Sequence, residues 1–77
     1  MIDGRQSRMA RAALGWGVRD IAGRAKVSPD TIARLERGEE LKERTVEAVQ
    51  AAYEQAGIQF IPENGGGAGV RLAKPSA

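Results

Sequence analysis

Apolar residues return every three or four positions through most of the chain and then form two short strand-like runs, a pattern that predicts helices followed by a hairpin. The first helix is expected over Gly4–Leu14. Asp3 is a good N-cap, Gln6 completes a capping box, and Gly15 stops the helix. At about 100° per residue, Ser7, Ala10 and Leu14 share one face with Arg11 on its edge, while Arg5, Arg8 and Ala12 point away. Trp16 follows as a core plug.

A second, short helix fits Val18–Ala25, with Ile21, Ala22 and Ala25 as its apolar stripe, and it breaks near Lys26-Val27-Ser28. The third has the clearest start. Ser28 is an N-cap, Pro29 takes the first helical position where no N–H is needed, and Asp30 suits the positive end of the dipole. Ile32 and Leu35 form its apolar face and Gly38 ends it. The fourth helix is expected from about Leu41 to Ala56. Thr45, Val46, Val49, Ala52, Tyr53 and Ala56 share one face, Glu43, Glu47 and Glu54 the other, and Gly57 stops it.

Ile58-Gln59-Phe60-Ile61 and Val70-Arg71-Leu72 then read as strands around a glycine-rich turn, Pro62–Gly69, and Lys74–Ala77 as a frayed, flexible tail. The expected layout is a helical domain over residues 1–57, a hairpin over 58–73 and the tail over 74–77.

Composition narrows the chemistry. The 77 residues contain no His, no Cys and three aromatics, so the usual ligands for zinc, haem and iron–sulfur clusters are missing, as are disulfides and a His or Cys nucleophile. No acid–base pair stands out, and the chain is too small to enclose a substrate pocket, so it is not expected to be an enzyme. No cofactor, metal or small-molecule ligand is evident. No apolar run approaches the ~18 residues of a membrane span, and no signal peptide is visible. Small domains of this size bury only ~60% of their unfolded surface and often lean on a partner.

Charge divides the chain. Residues 1–38 carry eight basic and four acidic side chains, a net of +4, and residues 39–77 four and six, a net of −2. A basic first half suits a polyanion, although solvated helix faces give the same count.

The second and third helices, joined by a three-residue turn, carry the main functional signal. Ile21, Ala22, Val27, Ile32 and Leu35 have the spacing to lock two helices at a steep angle, with Ala22 small at the crossing. With Ile32 and Leu35 buried, the third helix presents Asp30, Ala33, Arg34 and Arg37, with Thr31 at the margin. Such a helix fits a major groove about 12 Å wide.

On these residues the stretch LGWGVRDIAGRAKVSPDTIARLERGEE resembles the phage-repressor-like, Cro-type helix-turn-helix family, also called the XRE family. The resemblance spans roughly Asp3–Ala56, and the tail GIQFIPENGGGAGVRL looks like one carried by a bacterial subgroup of small regulators. It implies a mostly α, compact four- to five-helix, lambda-repressor-like DNA-binding domain with a short C-terminal β-hairpin, binding operator DNA as a dimer. It also implies a bacterial or phage-encoded cytoplasmic regulator. Three departures stand out. Val18 replaces a Gln that commonly touches a phosphate. Lys26 replaces a turn Gly, so it either takes a left-handed backbone at ~1–2 kcal/mol or reshapes the turn. Ser7 and Ala13 replace larger apolar residues, which predicts an underpacked core.

Arg34, central on the exposed face, is the first candidate for base readout, since a guanidinium bonds guanine O6 and N7 together. Thr31 is a second, for a thymine methyl or a phosphate, with local capping as the plain alternative. Asp30 is a third, accepting from a cytosine amine or steering Arg34 through i,i+4 pairing, with steering favoured. Arg19, Lys26, Ser28, Arg37 and Lys42 are candidate phosphate contacts, which position without reading sequence.

Arg11 and Glu36 each border the apolar face of their own helix and are expected to meet as a structural ion pair, an assignment the resemblance supports. Trp16 and Tyr53 are read as core. Ile58, Phe60, Ile61, Val70 and Leu72 need cover, so the hairpin is the expected dimerisation element, with packing on the chain's own helices as the alternative. The glycine run lacks the Lys-Ser/Thr of a phosphate loop.

The leading expectation is a homodimeric, sequence-specific double-stranded DNA-binding regulator, of repressor type, that binds an inverted-repeat operator and acts on its own promoter. The competing one is a protein-interaction module, such as an antitoxin or adaptor, with DNA binding secondary. RNA binding has little support, because so few aromatics are free to stack on bases.

Overall fold

Both ends of the first helix have a local chemical cause. The Asp3 carboxylate accepts the Gln6 N–H at 2.9 Å while Gln6 Oε1 accepts the Asp3 N–H at 3.0 Å, and this reciprocal cap opens α1 (Gly4–Leu14). Gly15 closes it in the left-handed conformation, φ 70°. The computed structural model describes residues 1–73 and continues with α2 (Val18–Ala25), α3 (Pro29–Glu36), α4 (Glu43–Gln55), β1 (Ile58–Ile61) and β2 (Gly69–Leu72). The expected tail, Lys74–Ala77, lies outside the described residues.

Four helices and an antiparallel hairpin therefore make up the described fold, the lower end of the expected range. Three boundaries move. α4 ends one residue early, at Gln55, with Ala56 as its cap. α4 starts at Glu43 rather than near Leu41, because the Lys42 cap is extended (ψ 139°) and Leu41 turns half-buried toward the core. β2 gains Gly69, which pairs with Ile61 at the turn end of the ladder.

The core lies between α2, α3 and α4. Ile21, Ile32, Val49 and Tyr53 are wholly buried at its centre, with Ala10, Ala22, Leu35, Val46, Ala52 and Ile58 around them. Ile2, which precedes the first cap, is buried there as well. Tyr53 is the aromatic pivot: Trp16 stacks on it at 6.1 Å and Phe60 meets it edge-on at 5.9 Å. Trp16 is half-buried rather than a full plug, and the Arg24 guanidinium lies 4.8 Å from its ring centre.

α1 is pressed against the end of α3. A Cβ on Gly4 would lie 2.4 Å from the Leu35 carbonyl oxygen and 2.7 Å from Glu36 Cα, so only glycine permits this approach. Arg8 Nη1 donates to the Glu36 carbonyl at 2.5 Å, satisfying an acceptor at the C-terminal end of α3.

The hairpin is seated on its own chain's helices. Register pairs Ile58 with Leu72 and Phe60 with Val70, which puts these four on one face. Ile58 is buried in the core, Phe60 and Val70 are half-buried against it, and Leu72 overhangs the edge at 57% exposure. Gln6 ties the turn end down, Nε2 donating to the carbonyls of Ile61 (3.2 Å) and Gly69 (3.1 Å). Ala73 N–H donates to Gly57 O at 2.6 Å at the open end. Among the described residues, no helix is long and apolar enough to cross a membrane.

Candidate nucleic-acid interface

The turn between α2 and α3 sets how the outer helix is presented. Lys26 takes the left-handed conformation (φ 60°, ψ 43°) and its N–H donates to Ala22 O, joined by Val27 N–H to the same carbonyl at 3.0 Å. It is the one non-glycine residue with positive φ among those described, a strain of ~1–2 kcal/mol that glycine would avoid. Of the two outcomes the sequence left open, the chain accepts the strain and keeps the tight turn.

Ser28 then starts α3, its hydroxyl accepting the Thr31 N–H at 3.1 Å and lying 2.9 Å from the Thr31 hydroxyl. Thr31 is thus engaged in the cap through both its N–H and its hydroxyl. Behind α3, Ile32 and Leu35 are 0% and 5% exposed. In front, Asp30 is exposed, and the side chains of Arg34 and Arg37 are 43% and 58% exposed. The rod is held by its aliphatic back with its polar side open.

Arg34 lies beside a shallow depression that Thr31, Glu40, Leu41, Lys42 and Thr45 also line, so three candidate contacts share one surface with one carboxylate. Ser28 and Lys26 are exposed at the start of the same helix, and Arg19 is exposed on α2.

The carboxylate that engages Arg34 is Glu39, not Asp30, which corrects the expected steering. Gly38 (φ 87°) reverses the chain so that Gly38 N–H donates to Leu35 O (3.0 Å) and Glu39 N–H to Arg34 O (3.1 Å), the two bonds of a Schellman cap. That reversal lays Glu39 back over the last turn. Arg34 Nε donates to its Oε1 at 3.0 Å, and Arg37 Nε and Nη2 donate to its Oε2 at 2.9 and 2.7 Å. The Arg37 and Arg34 bonds hold the Glu39 carboxyl below the ordinary glutamate value.

A polar network underpins the helix from inside. Arg11 Nε and Nη2 donate to Glu36 Oε2 and Oε1 at 2.9 and 2.6 Å, and Arg11 Nη1 reaches Trp16 O at 3.5 Å. Ser7 Oγ donates to Glu36 Oε2 at 2.7 Å, and the Tyr53 hydroxyl lies 2.8 Å from Ser7 Oγ and donates to Ser7 O at 3.2 Å. Burial alone would raise the Glu36 carboxyl, but the hydrogen bonds from Arg11 and Ser7 outweigh it and the group lies below its ordinary value. Ser7 is therefore not a packing deficit: it is wholly buried and fully used. Ala13 is exposed, outside the core altogether. Among the described residues no buried side-chain nitrogen or oxygen lacks a partner.

Sequence reasoning missed Glu39, Gly4 and the Ser7 hub. Only Glu39 had a local signal, the glycine just before it.

Neither a curated protein nor a solved structure gives a significant match to the chain. A family model described as a helix-turn-helix domain matches residues 4–58, which takes in all four helices and the first residue of β1. With α2 and α3 forming the tight-turned pair and the match covering most of its length, the chain belongs to the helix-turn-helix domain family of DNA-binding regulators.

Proposed function

We propose that the protein is a homodimeric transcriptional repressor that reads an inverted-repeat operator by placing α3 in the major groove of each half-site. The observation that carries this reading is the asymmetry of α3: Ile32 and Leu35 are sealed into the core while Arg34 and Arg37 stand on the open side. Arg34, Thr31 and Asp30 are the base-reading set. Arg37, Lys42, Lys26, Ser28 and Arg19 hold phosphates and fix the docking angle.

Two-fold pairing would set two copies of α3 in successive major grooves, ~34 Å apart. The overhanging Leu72 and the half-buried Phe60 and Val70 supply apolar surface for the second copy, with Ile61 half-buried on the hairpin's other face and Ile58 anchoring it to its own core. Selection of bound duplexes from fragmented genomic and random pools tests the whole reading. It is supported by enrichment of one palindromic sequence protected in two adjacent major grooves, and contradicted by retention of no duplex above background.

A further inference from the structure

We propose that Glu39 is a built-in stand-in for a DNA phosphate, which keeps Arg34 and Arg37 occupied in the free protein and so raises the threshold for binding non-specific duplex. The inference rests on the DNA-binding reading above and adds to it a residue that tunes discrimination without reading a base.

The geometry is that of anion capture. Two guanidinium groups one turn apart, Arg34 on α3 and Arg37 at its C-cap, converge on both oxygens of a single carboxylate through three N–H donors at 2.7–3.0 Å. A phosphate would be met by the same donors in the same manner, because arginine pairs suit either planar or tetrahedral oxyanions. Glu39 occupies this place by construction. Its backbone is fixed by the Gly38 reversal and its own N–H bond to Arg34 O, so no loop has to be ordered to bring it there. Yet its side chain is 43% exposed and held only by the two arginines, so rotation about its own bonds vacates the position.

The consequence is an exchange rather than an addition. Non-specific duplex offers phosphates alone, and each phosphate contact made by Arg34 or Arg37 requires one existing ion pair to be given up. The expelled carboxylate then faces the phosphate backbone, a like-charge contact. A specific site offers base-edge bonds as well, and those offset the exchange. Glu39 is thus a positioning residue that acts through the two arginines.

Glu39→Gln tests this, with Glu47→Gln as control: Glu47 is exposed on α4 away from the depression beside Arg34, the charge change is equal, and it forms none of the described ion pairs. Affinity for a random-sequence duplex and for a selected operator is measured by fluorescence anisotropy across a salt series. Glu39→Gln is expected to tighten random-duplex binding about tenfold at low salt, to steepen its log–log salt slope by about one, and to tighten operator binding less. Glu47→Gln is expected to change random-duplex binding about twofold, through net charge alone. Melting temperatures are expected to stay together, which separates the effect from a structural one. Equal behaviour of the two variants, with wild type binding duplex, would overturn the Glu39 assignment and leave the DNA-binding reading standing. Wild type and both variants binding no duplex would overturn both.

Discussion

The carboxylate of Glu36 on α3 receives both Nε and Nη2 of Arg11 on α1, at 2.9 and 2.6 Å, and takes the Ser7 hydroxyl at 2.7 Å as well. α3 is thereby braced from behind by an ion pair whose side chains are 22% and 8% exposed. Breaking one side of it strands a charge, so its loss matters more than its net worth suggests.

Acid sensitivity follows. Glu36 has a lower pKa folded than its ordinary 4.5, so its contribution is fully present above 4.5 and is lost as pH falls through the folded value. Urea midpoints taken from about pH 6 down to about pH 3 are expected to fall for the wild type. Glu36→Gln is expected to cost about 2 kcal/mol at neutral pH and to show a flatter acid limb.

At the other end of the scale, burial pushes the Tyr53 hydroxyl from 10.0 up to about 12. A raised pKa stabilises the fold below 10.0 and is lost as pH rises through the folded value. Tyr53 is the chain's single tyrosine, so tyrosinate absorbance reports it directly. Ionisation is expected well above the free-tyrosine value and together with unfolding, and Tyr53→Phe is expected to cost about 1–2 kcal/mol through the Ser7 bonds.

Lys26 separates stability from binding. Replacing this left-handed residue with glycine is expected to stabilise the fold by about 1 kcal/mol in chemical denaturation. The same Lys26→Gly variant is expected to bind duplex more weakly, with a salt slope shallower by about one, if its ammonium contacts a phosphate. A stabilised variant with unchanged DNA binding would assign Lys26 to solvent.

Helix starts and stops were legible where their chemistry is local: Asp3 with Gln6, Ser28 with Pro29, and Gly15 and Gly38 all act within a few residues, whereas α4, whose Lys42 cap makes no side-chain bond, begins two residues later than expected. The exposed side of α3 was legible for the same reason, since burying Ile32 and Leu35 determines what faces out. Ser7 was not. It reads as a missing apolar group until Tyr53, 46 residues on, supplies its partner. Gly4 likewise reads as a weak helix former until α3 is seen against it. Glu39 had a signal that i,i+4 reasoning overlooked: after a left-handed glycine the following residue returns to the last turn, which is i,i+5 from Arg34.

Leu72 tests the dimer without touching the fold. Because it is 57% exposed, Leu72→Glu is expected to leave melting nearly unchanged yet to convert a dimer to monomer in analytical ultracentrifugation. Truncating at Ile58 is a poorer test, since that residue is core and Gln6 bonds to the hairpin. A dimer that survives Leu72→Glu would place the second copy elsewhere.

The central claim is that α3 reads bases, and the most direct measurement is the ratio of operator to random-duplex affinity for wild type and Arg34→Ala at one salt concentration. Operator binding is expected to fall by about tenfold or more, with random-duplex binding little changed, so that the ratio collapses. Equal weakening on both duplexes, with the ratio preserved, would assign Arg34 to the phosphate backbone and contradict it.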